Sequence, residues 1–217
     1  AKVICAAMLA GDEYPSTAIG INLPNADWIR ARYGSKSVTI SNITQSYNRA
    51  AQGNGFLEEF VIDKPTLATI RRWESVTDEL HTDLHECLGH GSGQLLPGTD
   101  PNALKAYGST IEEARADLFG LYYMADHKLI ELGLLDSEHA YEAQYYTYLM
   151  NGLMTQLVRI RPGFKIEEAH MLNRSLIAHW AVDMNPDALQ LIETGGKHYV
   201  KINDYKALRV VFGRQLA

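Results

Sequence analysis

The segment His85-Glu86-Cys87-Leu88-Gly89-His90 places the hardest constraint on how this chain can fold. It lies where Leu80, Leu84, Cys87 and Leu88 recur at helical spacing, in a run that ends at Gly91-Ser92-Gly93. Two histidines at i and i+4 around a glutamate can share one face of a helix and bind zinc there. Here the spacing is i+5. On a regular α-helix that turns the second imidazole roughly 140° from the first, too far for both to reach one ion. A one-residue bulge of the π type would restore a common face, and such bulges are frequent at functional sites. Gly89, directly before the second histidine, supplies the backbone freedom a bulge needs. The alternative is a pair of surface histidines on an amphipathic helix.

A zinc site needs a third ligand, and a catalytic one keeps a fourth position open. The candidate is the run Glu112-Glu113-Ala114-Arg115-Ala116-Asp117 on the next predicted helix. Glu113 and Asp117 lie one turn apart on one face, and Glu112 points roughly 100° away. A purely structural reading competes: Ser109 and Glu112 would form a capping box, with acids in the first turn. That reading accounts for Glu112 better than for Glu113. Acids that do not bind the metal would accept hydrogen bonds from the imidazoles. Cys87 reads as a small core residue, since a thiolate fourth ligand would close the site.

Around these motifs the pattern is mainly α with a few short strands. A strand is expected over 37–40, then a helix from Ser41 to Ala51, capped by Ser41-Asn42. Residues 56–61 have no clear type. A helical region opens at Lys64-Pro65 and breaks near Trp73-Glu74-Ser75. Further helices are expected from Ser109 or Thr110 to Ala125, from Ser137 to Ile160, from Ile166 to Met184, and after Asp204. Residues 198–202 read as a strand, Glu193-Thr194-Gly195-Gly196 as a turn, and the first 40 residues as loop-rich. Tyr141, Tyr145, Tyr146 and Tyr148, at helical spacing, read as packing.

The 217 residues fit one large domain able to bury its own core. Lys+Arg 20 against Asp+Glu 26 argues against a nucleic-acid-binding surface, which would need a basic stripe. The longest apolar run, residues 3–10, is too short to span a bilayer and reads as a buried strand. Two cysteines far apart, Cys5 and Cys87, fit a reducing compartment, and the expected location is cytoplasmic. A start at Ala1 and a finish inside a helix-like pattern suggest a piece of a longer chain.

The hexapeptide and the Glu112–Asp117 run together resemble the signature of the dipeptidyl peptidase III family, H-E-x-x-G-H followed by E-E-x-x-A-E/D. Gly91-Ser92-Gly93, Gly20-Ile21-Asn22-Leu23-Pro24-Asn25, and Glu168-Ala169-His170-Met171 with Arg174 are similar to family segments as well. The likeness runs from about residue 11 to the C-terminus. It implies a helical zinc-binding catalytic domain of a two-lobed metallopeptidase whose second lobe lies outside these residues. The short loop from Gly91 to Gly108 implies a bacterial type.

Carried over by position, the resemblance implies one Zn2+ held by His85, His90 and Glu113, with Glu86 as general base and Glu112 and Asp117 supporting the imidazoles. The chain carries Asp117 where many members have Glu, one methylene longer. His170 would bind the substrate backbone and stabilise the tetrahedral intermediate. Asn22, Asn25 and Arg174 would bind substrate. The implied reaction is release of dipeptides from the free N-terminus of short peptides, with no nucleic-acid or membrane partner. The rivals are a zinc endopeptidase or aminopeptidase, and a zinc-stabilised binding module without turnover. Against the last stands Glu86, because a structural zinc needs no base beside it.

Overall fold

The computed structural model describes residues 2–6, 19–24, 26–51 and 53–217. Two small sheets flank a bundle of helices. The first sheet has strands β1 (Lys2–Ile4), β2 (Gly20–Leu23) and β3 (Lys36–Ile40) in the order β1-β3-β2. β1 runs parallel to β3, and β2 runs antiparallel to it, with Ile21 opposite Val38. Helix α1 (Asp27–Tyr33) connects β2 to β3, and α2 (Ser41–Ala51) follows β3 directly. The buried strand expected over 3–10 is corrected in its described part. Val3 is 61% exposed and Ile4 42%, because β1 is an edge strand three residues long.

After the short helix α3 (Phe56–Phe60), α4 (Lys64–Leu84) runs unbroken for 21 residues. Asp63 caps it by accepting from the Thr66 N–H at 2.8 Å, and Pro65 suits the first turn. The break expected near Trp73 is absent. Ile70, Thr77 and His81 continue one buried stripe, and the Thr77 hydroxyl returns a hydrogen bond to the Trp73 carbonyl. Tertiary burial therefore decides where local propensity is weak.

α5 (Gly108–Met124) starts after a 3-10 turn at Lys105–Tyr107, with no side-chain cap. The capping box of Ser109 and Glu112 is thus not formed, and the Glu112 carboxylate is engaged elsewhere. A four-residue helix, α6 (Lys128–Glu131), leads to α7 (Tyr141–Leu153). The long helix expected over 137–160 is split. Residues 137–140 form a turn, and after Met154 the chain tightens into a 3-10 segment, Thr155–Arg159. There the Gln156 side-chain amide donates to the Gly152 carbonyl, the acceptor a continued helix would give its backbone N–H.

α8 (Ala169–Met184) begins three residues later than expected, because Glu168 is the cap, its carboxylate accepting from the N–H groups of His170 and Met171. A hairpin follows: β4 (Leu189–Thr194) pairs antiparallel with β5 (Lys197–Ile202) across Gly195-Gly196. Both glycines have positive φ, as a tight two-residue hairpin turn requires. α9 (Tyr205–Leu216) is capped by Asp204.

The core lies between α4, α5, α7, α8 and α9. Tyr145, Tyr146, Ile70, Leu121, Leu149, Ile177 and Phe212 are almost wholly buried. Packing is the right reading of the tyrosine run, and the buried hydroxyls find acceptors: Tyr145 donates to the Leu121 carbonyl, and Tyr146 to that of Val200, each at 2.9 Å. Phe212 meets Tyr145 edge to face at 5.0 Å and joins α9 to α7. Among the described residues no helix is long and apolar enough to cross a membrane. Replacing Phe212 with Ala is expected to lower unfolding free energy by about 3–5 kcal/mol in urea titrations. A loss under about 1 kcal/mol would mean that α9 is not part of the cooperative core.

Candidate metal centre

Residues His85–His90 form one turn of π-helix continuous with α4. The wider turn brings the rings of His85 and His90 to 4.6 Å between centroids, nearly perpendicular. The surface-histidine alternative fails here, since His85 and Glu86 are buried and His90 is half-buried. Gly89 has a role different from the one expected. Its φ is not positive, and what matters is its missing side chain: a Cβ there would lie 2.6 Å from the Ala116 Cα. Glycine thus lets the π turn rest directly on the backbone of α5.

That contact delivers the acids of α5 to the imidazoles. Glu113 Oε2 lies 3.3 Å from His85 Nε2, 3.5 Å from His90 Nε2 and 3.3 Å from His170 Nδ1. It is buried and makes no well-aligned hydrogen bond. Donor atoms arranged tetrahedrally around zinc at 2.0–2.1 Å stand about 3.3–3.4 Å apart. The two edges from Glu113 to His85 and His90 match that spacing, so His85, His90 and Glu113 fit a zinc ion.

The other ring nitrogens are held from behind. His85 Nδ1 is 2.7 Å from Asp117 Oδ1, so the shorter Asp side chain still makes the bond. His90 Nδ1 is 3.0 Å from Glu112 Oε1, and Arg115 grips the Glu112 carboxylate through Nε at 2.9 Å and Nη2 at 2.7 Å. Burial pushes the His85 imidazolium down, but the hydrogen bond to Asp117 and the nearby Glu113 carboxylate reverse this and raise it to about 10. His90 is likewise disfavoured by burial and raised by Glu112 and Glu113 to about 9. Burial would raise Glu112 and Glu113, but the facing cations hold each at about 2. Without a metal, then, the acids keep protons on the very atoms a dication would take.

Glu86 lines the same cleft, of about 730 Å³, with Asn22, His90, Glu113 and His170. Burial raises the Glu86 carboxyl, and His85 and His90 oppose it in part. Its Oε2 is buried without a hydrogen-bond partner. β2 lies so close that a Cβ on Gly20 would run into the Glu86 carboxylate. Asn22 donates to Ser37 Oγ at 2.7 Å and to the Glu86 carbonyl at 3.3 Å, and the Ser37 hydroxyl donates to that carbonyl at 3.0 Å. His170 stands at the mouth, its side chain 55% exposed.

Two expected residues are not brought in. Arg174 does not line the cleft: its guanidinium lies over the Tyr148 ring and donates to Asn151 Oδ1. Asn25 lies outside the described residues. Cys87 is partly buried, and both it and Cys5 are free thiols. Sequence reasoning missed Arg115, Ser37, Tyr148 and His81. The last could have been found, because His81 precedes His85 by the four residues that put two side chains on one helix face.

Two histidines and a glutamate with converging donor atoms, and a second buried glutamate beside them, are the residue set that a metallopeptidase site uses. Comparison with known proteins narrows the class. Residues 13–106 match the model of peptidase family M49. Human dipeptidyl peptidase 3 is 25% identical over 86% of this chain and 29% of its own length. The Dictyostelium discoideum dipeptidyl peptidase 3 is 27% identical over 60% of this chain and 23% of its own. The structure of DPP III from Caldithrix abyssi superposes with a TM-score of 0.65 and 25% identity, over 92% of this chain and 35% of that one. The chain is thus similar to dipeptidyl peptidase III enzymes over part of their length. It spans less than a third of the length of the human relative it matches.

Zinc uptake at pH 7 is expected to release about two protons, one from each imidazole, because both histidines are held protonated above that pH. Affinity should therefore rise with pH by about a hundredfold per unit, slowing to about tenfold as pH passes about 9 and levelling off above about 10. Calorimetry in buffers of different ionisation enthalpy measures the proton count, and a count of zero would place the metal elsewhere.

Proposed function

We propose that this chain is the zinc-binding catalytic domain of a two-lobed exopeptidase that releases dipeptides from the free N-terminus of short peptides. The carrying observation is Glu86: a buried carboxylate with an unpaired oxygen, in one cleft with the His85, His90 and Glu113 donors. A module that only bound zinc would have no use for that group. The match to the peptidase family M49 model supports the peptidase class, and the residues above support the division of roles.

His85, His90 and Glu113 would hold the ion. Zinc bound there supplies Lewis-acid polarisation of the scissile carbonyl and acidifies a water. Glu86 takes the proton of the attacking water and returns it to the leaving amine, a task suited to a carboxyl that burial raises above its usual value. His170, exposed in the same cleft, would donate to the carbonyl oxygen as negative charge develops there. Asn22 lines the same cleft, from which it would hold the substrate backbone. Among the described residues β2 pairs with β3 alone, so its other edge can take an extended peptide as an added strand. A reducing, cytoplasmic setting is consistent with two free thiols.

The test is mass spectrometry of products from one hexapeptide, supplied with a free and with an acetylated N-terminus to the zinc-loaded chain. Only the free form should yield its N-terminal dipeptide, and cleavage of both would make the protein an endopeptidase. Glu86→Gln should keep zinc at parental affinity and lower turnover by about 10²–10⁴-fold. Turnover unchanged in that variant would remove Glu86 as the base. Glu113→Ala should weaken zinc binding far more than Glu112→Ala, as read by competition with a chromogenic chelator. Equal losses would move the third ligand away from Glu113.

A further inference from the structure

Behind the candidate metal centre lies a buried cluster that the reaction itself does not use. The Asp117 carboxylate is 3% exposed and accepts from three sides. Oδ1 takes His85 Nδ1 at 2.7 Å and His81 Nε2 at 3.1 Å, and Oδ2 takes the Tyr148 hydroxyl at 2.8 Å. These partners come from the π turn, α4 and α7, so helices far apart in sequence converge on one carboxylate.

His81 is held for this contact alone. Its side chain is 7% exposed, and its Nδ1 is buried with no partner. The ring lies in a space left by Gly120 on α5, where a Cβ would come within 2.7 Å of its Cε1 and Nδ1. Tyr148 flanks it at 5.6 Å between centroids. A ring so enclosed has one productive arrangement, with the proton on Nε2 and Asp117 as acceptor. With His81 and Tyr148 both donating, the carboxylate cannot swing away from His85. His85 would then keep its proton on Nδ1 when a metal displaces the one on Nε2, the nitrogen that faces Glu113.

We infer that His81 and Tyr148 are positioning residues that act through Asp117 to fix the tautomer and direction of His85 as a metal ligand. His90 lacks an equivalent: its supporting Glu112 side chain is 35% exposed and is tied to Arg115, at the edge of the cleft. The rigid half of the site is therefore the His85 half. The inference rests on the reading of His85 as a metal ligand, and the experiment separates the two.

The metal-free chain and its His81→Leu, His81→Gln and Tyr148→Phe variants are titrated with zinc against a chromogenic chelator. Side-chain ¹H–¹⁵N spectra of the zinc-loaded forms report the His85 tautomer. His81→Leu and Tyr148→Phe should bind zinc about 10–100-fold more weakly. In both, the single Nδ1–H form of His85 should give way to a mixture. His81→Gln keeps an amide donor near the Nε2 position and should stay within about threefold of the parent. A folded His81→Leu or Tyr148→Phe chain with parental affinity and one His85 tautomer overturns the inference. If His81→Leu does not fold, the Tyr148→Phe result decides. A second zinc equivalent in the parent that is lost with His81 also overturns it, by making His81 a ligand. A parent that takes up no zinc refutes the metal-site reading itself.

Discussion

One extra residue of helical winding organises the site. His85 and His90 are five apart, and only the π turn that continues α4 brings both imidazoles to Glu113. A π turn is less favourable than α-helix by itself, so something outside it must hold it. Two groups of contacts do so. On one side Gly89 lies against the bare backbone at Ala116, and the Arg115 guanidinium donates to the Gly89 carbonyl at 2.9 Å. On the other, Asn22 and Ser37 from the small sheet donate to the Glu86 carbonyl, and Arg30 from α1 donates to that of His90. The sheet is small and partly exposed, yet it is the clamp that keeps Glu86 beside the histidines.

The three acids of the Glu112–Asp117 run divide the work by helical geometry. Asp117 and Glu113, one turn apart, reach opposite nitrogens of the same ring: Asp117 holds His85 Nδ1, while Glu113 faces Nε2. Glu112, rotated away from both, serves the other ring at His90 Nδ1. Each imidazole is thus oriented by one carboxylate and presented to a shared third. The shorter Asp117 suffices because the π turn rests directly on α5. The same closeness leaves room for Asp117 to take two further donors.

The chemistry-bearing residues were legible because their spacing is a geometric statement: histidines five positions apart demand a bulge, and an acid pair at i and i+4 marks one face. The cleft wall was less so. β2 contains Gly20 and Asn22 and precedes Pro24, all turn-like locally, and it becomes a strand through pairing with β3 and contact with Glu86. β4 was missed for a similar reason, its partner being the strand beyond the glycine turn. Helix ends failed where side chains competed with backbone, as at Glu168 and Gln156. Tyr148 looks like any core aromatic in a periodic run. Its hydroxyl acquires meaning only where α7 brings it to Asp117. Gly89 was singled out for backbone freedom, but three-dimensional proximity gives it a different task.

The metal and the fold are largely independent in this arrangement. In small zinc modules the free energy of metal binding is the free energy of folding, and the ligands have no fixed places without it. Here the apolar cluster joins α4, α5, α7, α8 and α9 through residues such as Leu121, Tyr145, Ile177 and Phe212, none of which lines the cleft of the histidines. α5 presents Ala114 and Leu118 to that core and, from its adjacent face, Glu113 and Asp117 to the histidines. The imidazoles are therefore aimed by hydrogen bonds that exist before any ion arrives. An ion entering such a site would meet ligands already in place, and its binding energy need not be spent on ordering the chain. That is the condition a catalytic metal requires: its open position and its neighbouring base keep their geometry through each turnover because the protein, and not the ion, defines them.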